Sequence, residues 1–154
     1  MPGYILPEQI IATNDIAEIK DCSIVLIAVP MQQLRSLVEM HGSILKGKIL
    51  VACCKGFEVS SGLGPTAILE IASEKTAVLT GPSFASDLAS GFPTALTIAS
   101  KIEGLAKYIQ KELGTEILRL YWSNDPIGAE LGGALKNVIA CLLYTSDAAD
   151  DMQC

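Results

Sequence analysis

Residues 22–29, Cys-Ser-Ile-Val-Leu-Ile-Ala-Val, form the stretch that decides the fold, because nearly every position is apolar. The stretch is much shorter than the roughly 20 residues that a membrane-spanning helix needs, and its length is typical of a strand. Both alternating sets of positions carry apolar side chains. We therefore predict a strand that is buried on both faces, as strands in parallel sheets are.

The following residues alternate between helix and strand patterns. Helices are predicted at Met31–Met40 and Pro65–Ser73, and strands at Lys48–Cys54 and Thr76–Thr80. This alternation predicts right-handed crossovers and a parallel sheet. The remaining predicted elements are strands at Thr94–Ala99 and Glu116–Trp122, a helix at Ile102–Leu113, and a helix from about Asp125 to at least Ala140.

The predicted fold class is α/β. We expect a partial doubly wound, Rossmann-like parallel sheet that lacks its first strand and Gly-rich loop, followed by the first helix of an all-α C-terminal domain. Such sheets normally open with a strand and a Gly-rich phosphate-binding turn, and no Gly-x-Gly-x-x-Gly occurs here. We predict an incomplete dinucleotide-binding domain at 1–123, the start of a helical substrate domain at 124–140, and a tail at 141–154. The tail is acidic and lacks a helical pattern, and it resembles translated sequencing-adapter DNA, so we interpret it as a candidate foreign segment.

Charge and cysteine content exclude several classes of function. The formal net charge of −6 argues against nucleic acid or an anionic membrane as a partner. No secretory signal opens the chain, so we expect a cytoplasmic protein. Five cysteines and a single histidine without metal-ligand spacing predict no metal site and no disulfide scaffold. Reduced, mostly buried thiols are the expected state.

Three small clusters follow predicted strands, at the edge where parallel sheets bind ligands. They are Val29-Pro30, Lys55-Gly56 and Gly81–Ala85. Lys55 has two interpretations: a solvated lysine in a turn, or a charge at the rim of a ligand crevice. Gly81–Ala85 has two as well: a turn with a helix cap, or a site where backbone approaches a ligand closely.

The last predicted helix presents two different faces. Leu131, Leu135, Val138 and Leu142 have the spacing of a core stripe. The neighbouring face contains mostly small residues: Ala129, Gly132, Gly133, Lys136 and Ala140. A glycine inside a helix costs about 0.8–1 kcal/mol relative to alanine, so we expect a cofactor ring, a substrate or another backbone against this face. Lys136 would then be a general base; the alternative is a lysine that extends out of a tight helix contact.

These motifs, in this order, resemble NAD(P)-dependent glycerol-3-phosphate dehydrogenase of the bacterial type. The signature is Leu-Gly-Gly-Ala-Leu-Lys-Asn-Val-Ile-Ala at 131–140. The likeness covers about residues 4–140. The other matching segments are Leu6-Pro7, Ala12–Asp15, Ala28–Pro30 with Gln32, Cys54–Glu58 and Gly81–Ala85.

The resemblance implies an oxidoreductase that interconverts sn-glycerol 3-phosphate and dihydroxyacetone phosphate with NAD or NADP, supplying glycerol 3-phosphate for phospholipid synthesis. Lys136 would be the proton acceptor and a substrate contact. The implied substrate-binding residues are Lys55, Gly81, Ser83 and Asn137, and the implied cofactor-binding residues are Lys55, Ala85 and Pro30.

Two departures from the family concern the chain as a whole. The Gly-rich phosphate loop and the Arg-Asn region that grips the substrate phosphate have no counterpart in this sequence. We therefore expect the isolated chain to be inactive. For the full-length protein, the resemblance implies a homodimer. Two alternatives stay open: another dehydrogenase or reductase of the 6-phosphogluconate type, and a non-catalytic nucleotide-binding fragment.

Overall fold

The computed structural model describes residues 7–83, 85–136 and 139. Five strands form one sheet: β1 (Ile24–Ile27), β2 (Ile49–Ala52), β3 (Thr76–Thr80), β4 (Thr94–Ala99) and β5 (Leu118–Ser123). The α-helices are α1 (Leu34–Leu45), α2 (Pro65–Leu69), α3 (Ala85–Ala89), α4 (Leu105–Leu113) and α5, described over residues 126–136. Two 3-10 helices, Ile16–Asp21 and Met31–Gln33, precede β1 and α1.

The sheet is mostly parallel, and one junction differs from the prediction. The strand order is β1-β2-β3-β4-β5, with parallel pairs β1–β2, β2–β3 and β4–β5. The β3–β4 pair is antiparallel, with Val78 opposite Ala99. The predicted parallel sheet is confirmed in the three parallel pairs, and β4 departs from it by running antiparallel to β3. The connection between β3 and β4 contains only the five-residue helix α3, which rises about 7.5 Å, so the chain turns back without a full crossover helix.

Two layers of helices cover the sheet, which confirms the doubly wound arrangement. On one face Leu50, Ala52 and Val78 pack with residues of α1 and α2. On the other face Val51 and Ala77 pack with residues of α4. Adjacent strand residues enter opposite layers because side chains alternate across a sheet, which explains the continuously apolar pattern of β2.

The prediction that β1 is buried on both faces is wrong for one of them. Ile27 is buried, whereas Leu26 is 50% exposed. Within the described residues β1 is an edge strand whose neighbour is β2. The helix on that side, α4, mainly contacts β4 and β5 at the other end of the sheet. It reaches the cluster that Ile24 joins but leaves Leu26 half exposed.

Helix α5 begins where predicted but faces the opposite way. The Asp125 side chain accepts a hydrogen bond from the Gly128 backbone N–H (2.9 Å), and proline occupies the first helical position. Leu131 and Leu135, predicted as core, are 44% and 48% exposed. The buried side of α5 instead carries Gly133, because a face without bulky side chains can lie closer to the sheet. The other members of the predicted stripe, Val138 and Leu142, lie outside the described residues, as does the predicted tail.

Several further expectations can be compared with the described residues. Cys54 is buried and Cys53 half-buried, but Cys22 is exposed, so the expectation of mostly buried thiols holds only in part. Burial raises the pKa of the Cys54 thiol to about 11. No group of three potential metal ligands occurs among residues 7–83, 85–136 and 139. In the same part of the chain no helix is long and apolar enough to cross a membrane.

Candidate active site

The carboxyl ends of β2 and β3 meet at one edge of the sheet because the two strands are parallel neighbours. Lys55 follows β2, and Gly81 directly follows β3. The Nζ of Lys55 donates a hydrogen bond to the carbonyl oxygen of Gly81 (3.1 Å). Two of the predicted clusters are therefore in direct contact.

Helix α5 brings Lys136 to this same edge. Lys136 and Gly81 line a cavity of about 350 Å³, together with Thr80, Pro82, Thr97, Ala129, Gly132 and Gly133. Burial lowers the pKa of the Lys55 amine, and the positive charge of Lys136 lowers it further. The charge of Lys136 thus reaches Lys55, although the two residues are 81 positions apart in the sequence.

The two glycines of α5 have different surroundings. A Cβ atom on Gly133 would lie 2.5 Å from Oγ1 of Thr80, so helix and strand are in close contact there. A Cβ atom on Gly132 would have no other atom within 4 Å. Oγ1 of Thr80 is buried and has no hydrogen-bond partner among the described residues. The small-residue face therefore packs against the sheet at Gly133 and borders open space at Gly132.

The other predicted site residues are less closely grouped. Ser83 lines a second cavity of about 420 Å³, on the side of Pro82 that faces Asp87, Phe92 and Thr94. Ala85, the first residue of α3, and Pro30, before the 3-10 helix Met31–Gln33, are exposed. Asn137 lies outside the described residues.

Side chains to which the sequence analysis assigned no role fix the loop that contains Lys55. Gln32 donates from Nε2 to the carbonyl oxygen of Phe57 (2.9 Å) and accepts at Oε1 from the N–H of Val59 (3.1 Å). Arg35 binds Glu58 through two hydrogen bonds of 2.8 Å. Gln32 and Arg35 are three positions apart, which places them on one face of a helix and was a weak signal in the sequence. Their partners could not be predicted because they lie more than 20 residues away.

Glu130 is the second feature that the sequence analysis missed. Its carboxylate is buried and accepts hydrogen bonds from the N–H (2.8 Å) and the hydroxyl (2.6 Å) of Thr66. Thr66 lies in the first turn of α2, where free N–H groups favour a carboxylate. The one signal for Glu130 in the sequence was a charged residue beside the small-residue face of α5.

Comparison with known proteins agrees with the family resemblance found in the sequence. Residues 1–106 match the family described as NAD-dependent glycerol-3-phosphate dehydrogenase N-terminus. A glycerol-3-phosphate dehydrogenase (NAD(P)+) from Ruegeria sp. (strain TM1040) is 51% identical over 142 residues, which are 91% of this chain and 44% of the relative. One from Roseobacter denitrificans is 48% identical over the same coverage.

A solved structure agrees in fold and in family. The crystal structure of glycerol-3-phosphate dehydrogenase from Coxiella burnetii superposes with a TM-score of 0.79 at 28% identity, covering 91% of this chain and 44% of that one. The chain thus spans about half the length of the curated relatives it matches. On this evidence the chain belongs to the NAD-dependent glycerol-3-phosphate dehydrogenase family.

Proposed function

We propose that the cavity between β3 and α5 is the active site of an NAD(P)-dependent glycerol-3-phosphate dehydrogenase. The reaction interconverts sn-glycerol 3-phosphate and dihydroxyacetone phosphate. One observation carries the proposal: Lys136 lines the cavity, and Lys55, from a distant segment, donates to the carbonyl oxygen of Gly81 in the cavity lining, within reach of the charge of Lys136. Two positive charges beside a small cavity favour a small anionic ligand.

Each lysine has a distinct role in this proposal. Lys136 accepts the proton of the secondary hydroxyl when the alcohol is oxidised, and returns a proton to the carbonyl oxygen in the reverse reaction. Lys55 binds the substrate, and its hydrogen bond to Gly81 holds the amine at the cavity rim. Because such catalysis depends on positioning, the fixed loop that contains Lys55 is as important as the amine itself.

The remaining predicted residues complete the proposal. We propose that Gly81, Ser83 and Asn137 contact the substrate and that Ala85 and Pro30, with Lys55, contact the cofactor. Gly81 fits best, since it lines the cavity. Ser83 would act from the neighbouring cavity, on the other side of Pro82.

The cavity fits one end of the implied cofactor. Its volume of about 350 Å³ lies within the range of small-molecule sites, about 300–1,000 Å³. Gly132 leaves a flat wall on which a ring can lie, and the unpartnered hydroxyl of Thr80 is a buried polar group nearby. NAD or NADP, when bound, supplies the hydride acceptor and donor. The proposal concerns only the nicotinamide end of the cofactor, since the cavity is too small for a dinucleotide.

For the whole protein we further propose a cytoplasmic homodimer that supplies glycerol 3-phosphate for phospholipid synthesis. The names of the relatives support the substrate, glycerol 3-phosphate; the cytoplasmic location, the dimer and the link to phospholipid synthesis are what the resemblance to the family implies. Size-exclusion chromatography with light scattering on the full-length protein tests the dimer directly.

The deciding experiment uses a chimaera, because the chain matches only 44% of the Ruegeria relative. The matched segment of that relative is replaced by residues 4–140 of this chain, the part that resembles the family, and NADH or NADPH oxidation with dihydroxyacetone phosphate is followed. Lys136→Met should lower kcat by about 100- to 10,000-fold, the usual contribution of a general acid or base, and leave cofactor affinity within about twofold. Lys111→Gln, on the exposed surface of α4, is the matched control.

Two results would contradict the proposal. A Lys136→Met chimaera that retains near-normal kcat would remove the base assignment. An active chimaera in which Lys55→Met changes neither kcat nor KM would remove the second lysine from the site. The 154-residue chain alone is expected to show no measurable turnover.

A further inference from the structure

Helix α5 is held against the sheet domain by two contacts about one turn apart. The first is the buried carboxylate of Glu130, which accepts both hydrogen bonds of Thr66. Gly64 leaves room for it, since a Cβ atom there would lie 2.2 Å from Oε2 of Glu130. Both donors of Thr66 reach the same oxygen, Oε1, and hydrogen bonds to an ionised carboxylate are about twice as strong as neutral ones. This contact therefore restrains where α5 lies along its own axis.

The second contact is Gly133 on Thr80. A Cβ atom on Gly133 would lie 2.5 Å from Oγ1 and 3.5 Å from Cβ of Thr80, and 4.0 Å from Cγ of Lys55. The first distance is far below ordinary van der Waals separation. A side chain at position 133 would therefore push α5 away from β3 or displace Thr80.

Gly132 and Gly133 both lower the stability of the helix, but a close contact requires glycine only at position 133. Glycine inside a helix is less stable than alanine by about 1 kcal/mol. At Gly132 an added methyl group would meet no other atom within 4 Å. The close approach is thus a property of position 133 alone, and Lys136 follows one turn later, about 4.5 Å along the axis.

We infer that Gly133 is a positioning residue, which sets the depth at which α5 presents Lys136 to the cavity beside Lys55. Glu130 sets the register of the helix along its axis, and Gly133 sets its distance from β3. The catalytic meaning of this inference rests on the proposed function, but the geometry does not. Gly133 acts through Lys136 and needs no contact with a ligand.

The test is a titration of Lys55 in the 154-residue chain, followed by NMR of ¹³C-labelled lysine. The pKa of Lys55 is lowered first by burial and second by the charge of Lys136. Lys136→Gln removes the second cause and calibrates its size. Gly133→Ala should then raise the pKa of Lys55 in the same direction, and by less than Lys136→Gln does, since Coulomb energy falls with distance.

Two controls separate positioning from a general loss of stability. Gly132→Ala makes the same chemical change one residue earlier and should leave the titration of Lys55 unchanged, while it raises Tm by about 2–4 °C. The double variant Gly133→Ala/Thr80→Ala removes the obstructing Oγ1, so it should restore both the wild-type titration and the wild-type Tm. If Gly133→Ala alone fails to fold, the double variant still tests the inference.

Clear outcomes decide the inference. Gly133→Ala with a wild-type titration of Lys55 overturns it, and so does a folded double variant that does not recover. In the chimaera, Gly133→Ala should lower kcat about tenfold with little change in KM, and the double variant should recover. The titration involves no substrate. Its failure would therefore leave the proposed function standing, and failure of the kinetic test of Lys136 would leave the positioning role of Gly133 standing.

Discussion

Arg35 and Glu58 form a two-point ion pair, in which Nε and Nη2 of the guanidinium each donate to one carboxylate oxygen at 2.8 Å. The pair joins α1 to the loop that follows Lys55. Glu58 is buried, and the hydroxyl of Ser61 donates to the same carboxylate. The bidentate geometry holds the loop in one orientation, as single-point contacts do not.

This pair predicts an acid-dependent loss of stability. The hydrogen bonds from Arg35 and Ser61 lower the pKa of Glu58 from 4.5 to about 2. A carboxyl whose pKa is lowered by folding stabilises the fold fully above its unfolded value, and the stabilisation is lost as pH falls through the folded value. The window therefore lies between about pH 5 and about pH 2.

Glu58→Gln should lower Tm by about 3–6 °C at pH 7, and the difference from the wild type should vanish by about pH 2. Thermal melts followed by circular dichroism across this range check the prediction. Glu112→Gln, an exposed residue of α4, is the control and should leave Tm unchanged. A Glu58→Gln deficit that persists undiminished at pH 2 would contradict the linkage.

The outer side of α5 predicts aggregation of this chain. Ile127, Leu131, Leu135 and Ile139 follow one another at four-residue intervals and are 44–56% exposed. Such a stripe favours self-association. Leu131→Lys/Leu135→Lys should reduce light scattering at high concentration severalfold while Tm changes by less than about 2 °C. Equal scattering by wild type and variant would show that another surface drives association.

Gly81 and Gly42 predict opposite effects of the same substitution. A Cβ atom on Gly81 would lie 2.8 Å from Cδ2 of Leu96 and 3.2 Å from the carbonyl oxygen of Ala95, whereas one on Gly42, inside α1, would meet nothing within 4 Å. Gly81→Ala should cost about 1–3 kcal/mol through overpacking, and Gly42→Ala should gain about 1 kcal/mol through helix propensity. Urea denaturation measures both. If Gly81→Ala is as stable as the wild type, the contact with β4 is looser than described.

Local chemistry made several elements predictable. Thr76–Thr80 and Thr94–Ala99 were predicted with the bounds that β3 and β4 have, because apolar runs bounded by Gly and Pro define strands without reference to the rest of the chain. The start of α5 was predictable for the same reason, since Asp125 caps its own helix. Lys55 could be placed near the carboxyl edge of the sheet because it follows an apolar strand. Lys136 could be identified because it lies on the small-residue face of α5.

Other features depend on segments that are distant in sequence, and residue patterns do not encode them. The apolar pattern of β4 fits either strand direction, and only its pairing with β3 shows that the two strands are antiparallel. The leucine stripe of α5 faces outward because Glu130 and Gly133 provide the closer contacts. The partner of Glu130 is 64 residues away.

The sequence by itself determined the α/β alternation, the family and the identity of Lys55 and Lys136 as candidate groups. Only the tertiary structure decided that Lys55 binds the Gly81 carbonyl, that Gly133 rather than Gly132 meets the sheet, and that Thr80 lies beneath it. The reason is physical. Secondary structure follows mainly from hydrogen bonds and side-chain periodicity within a few residues, whereas a site follows from the distance and orientation at which separate elements pack.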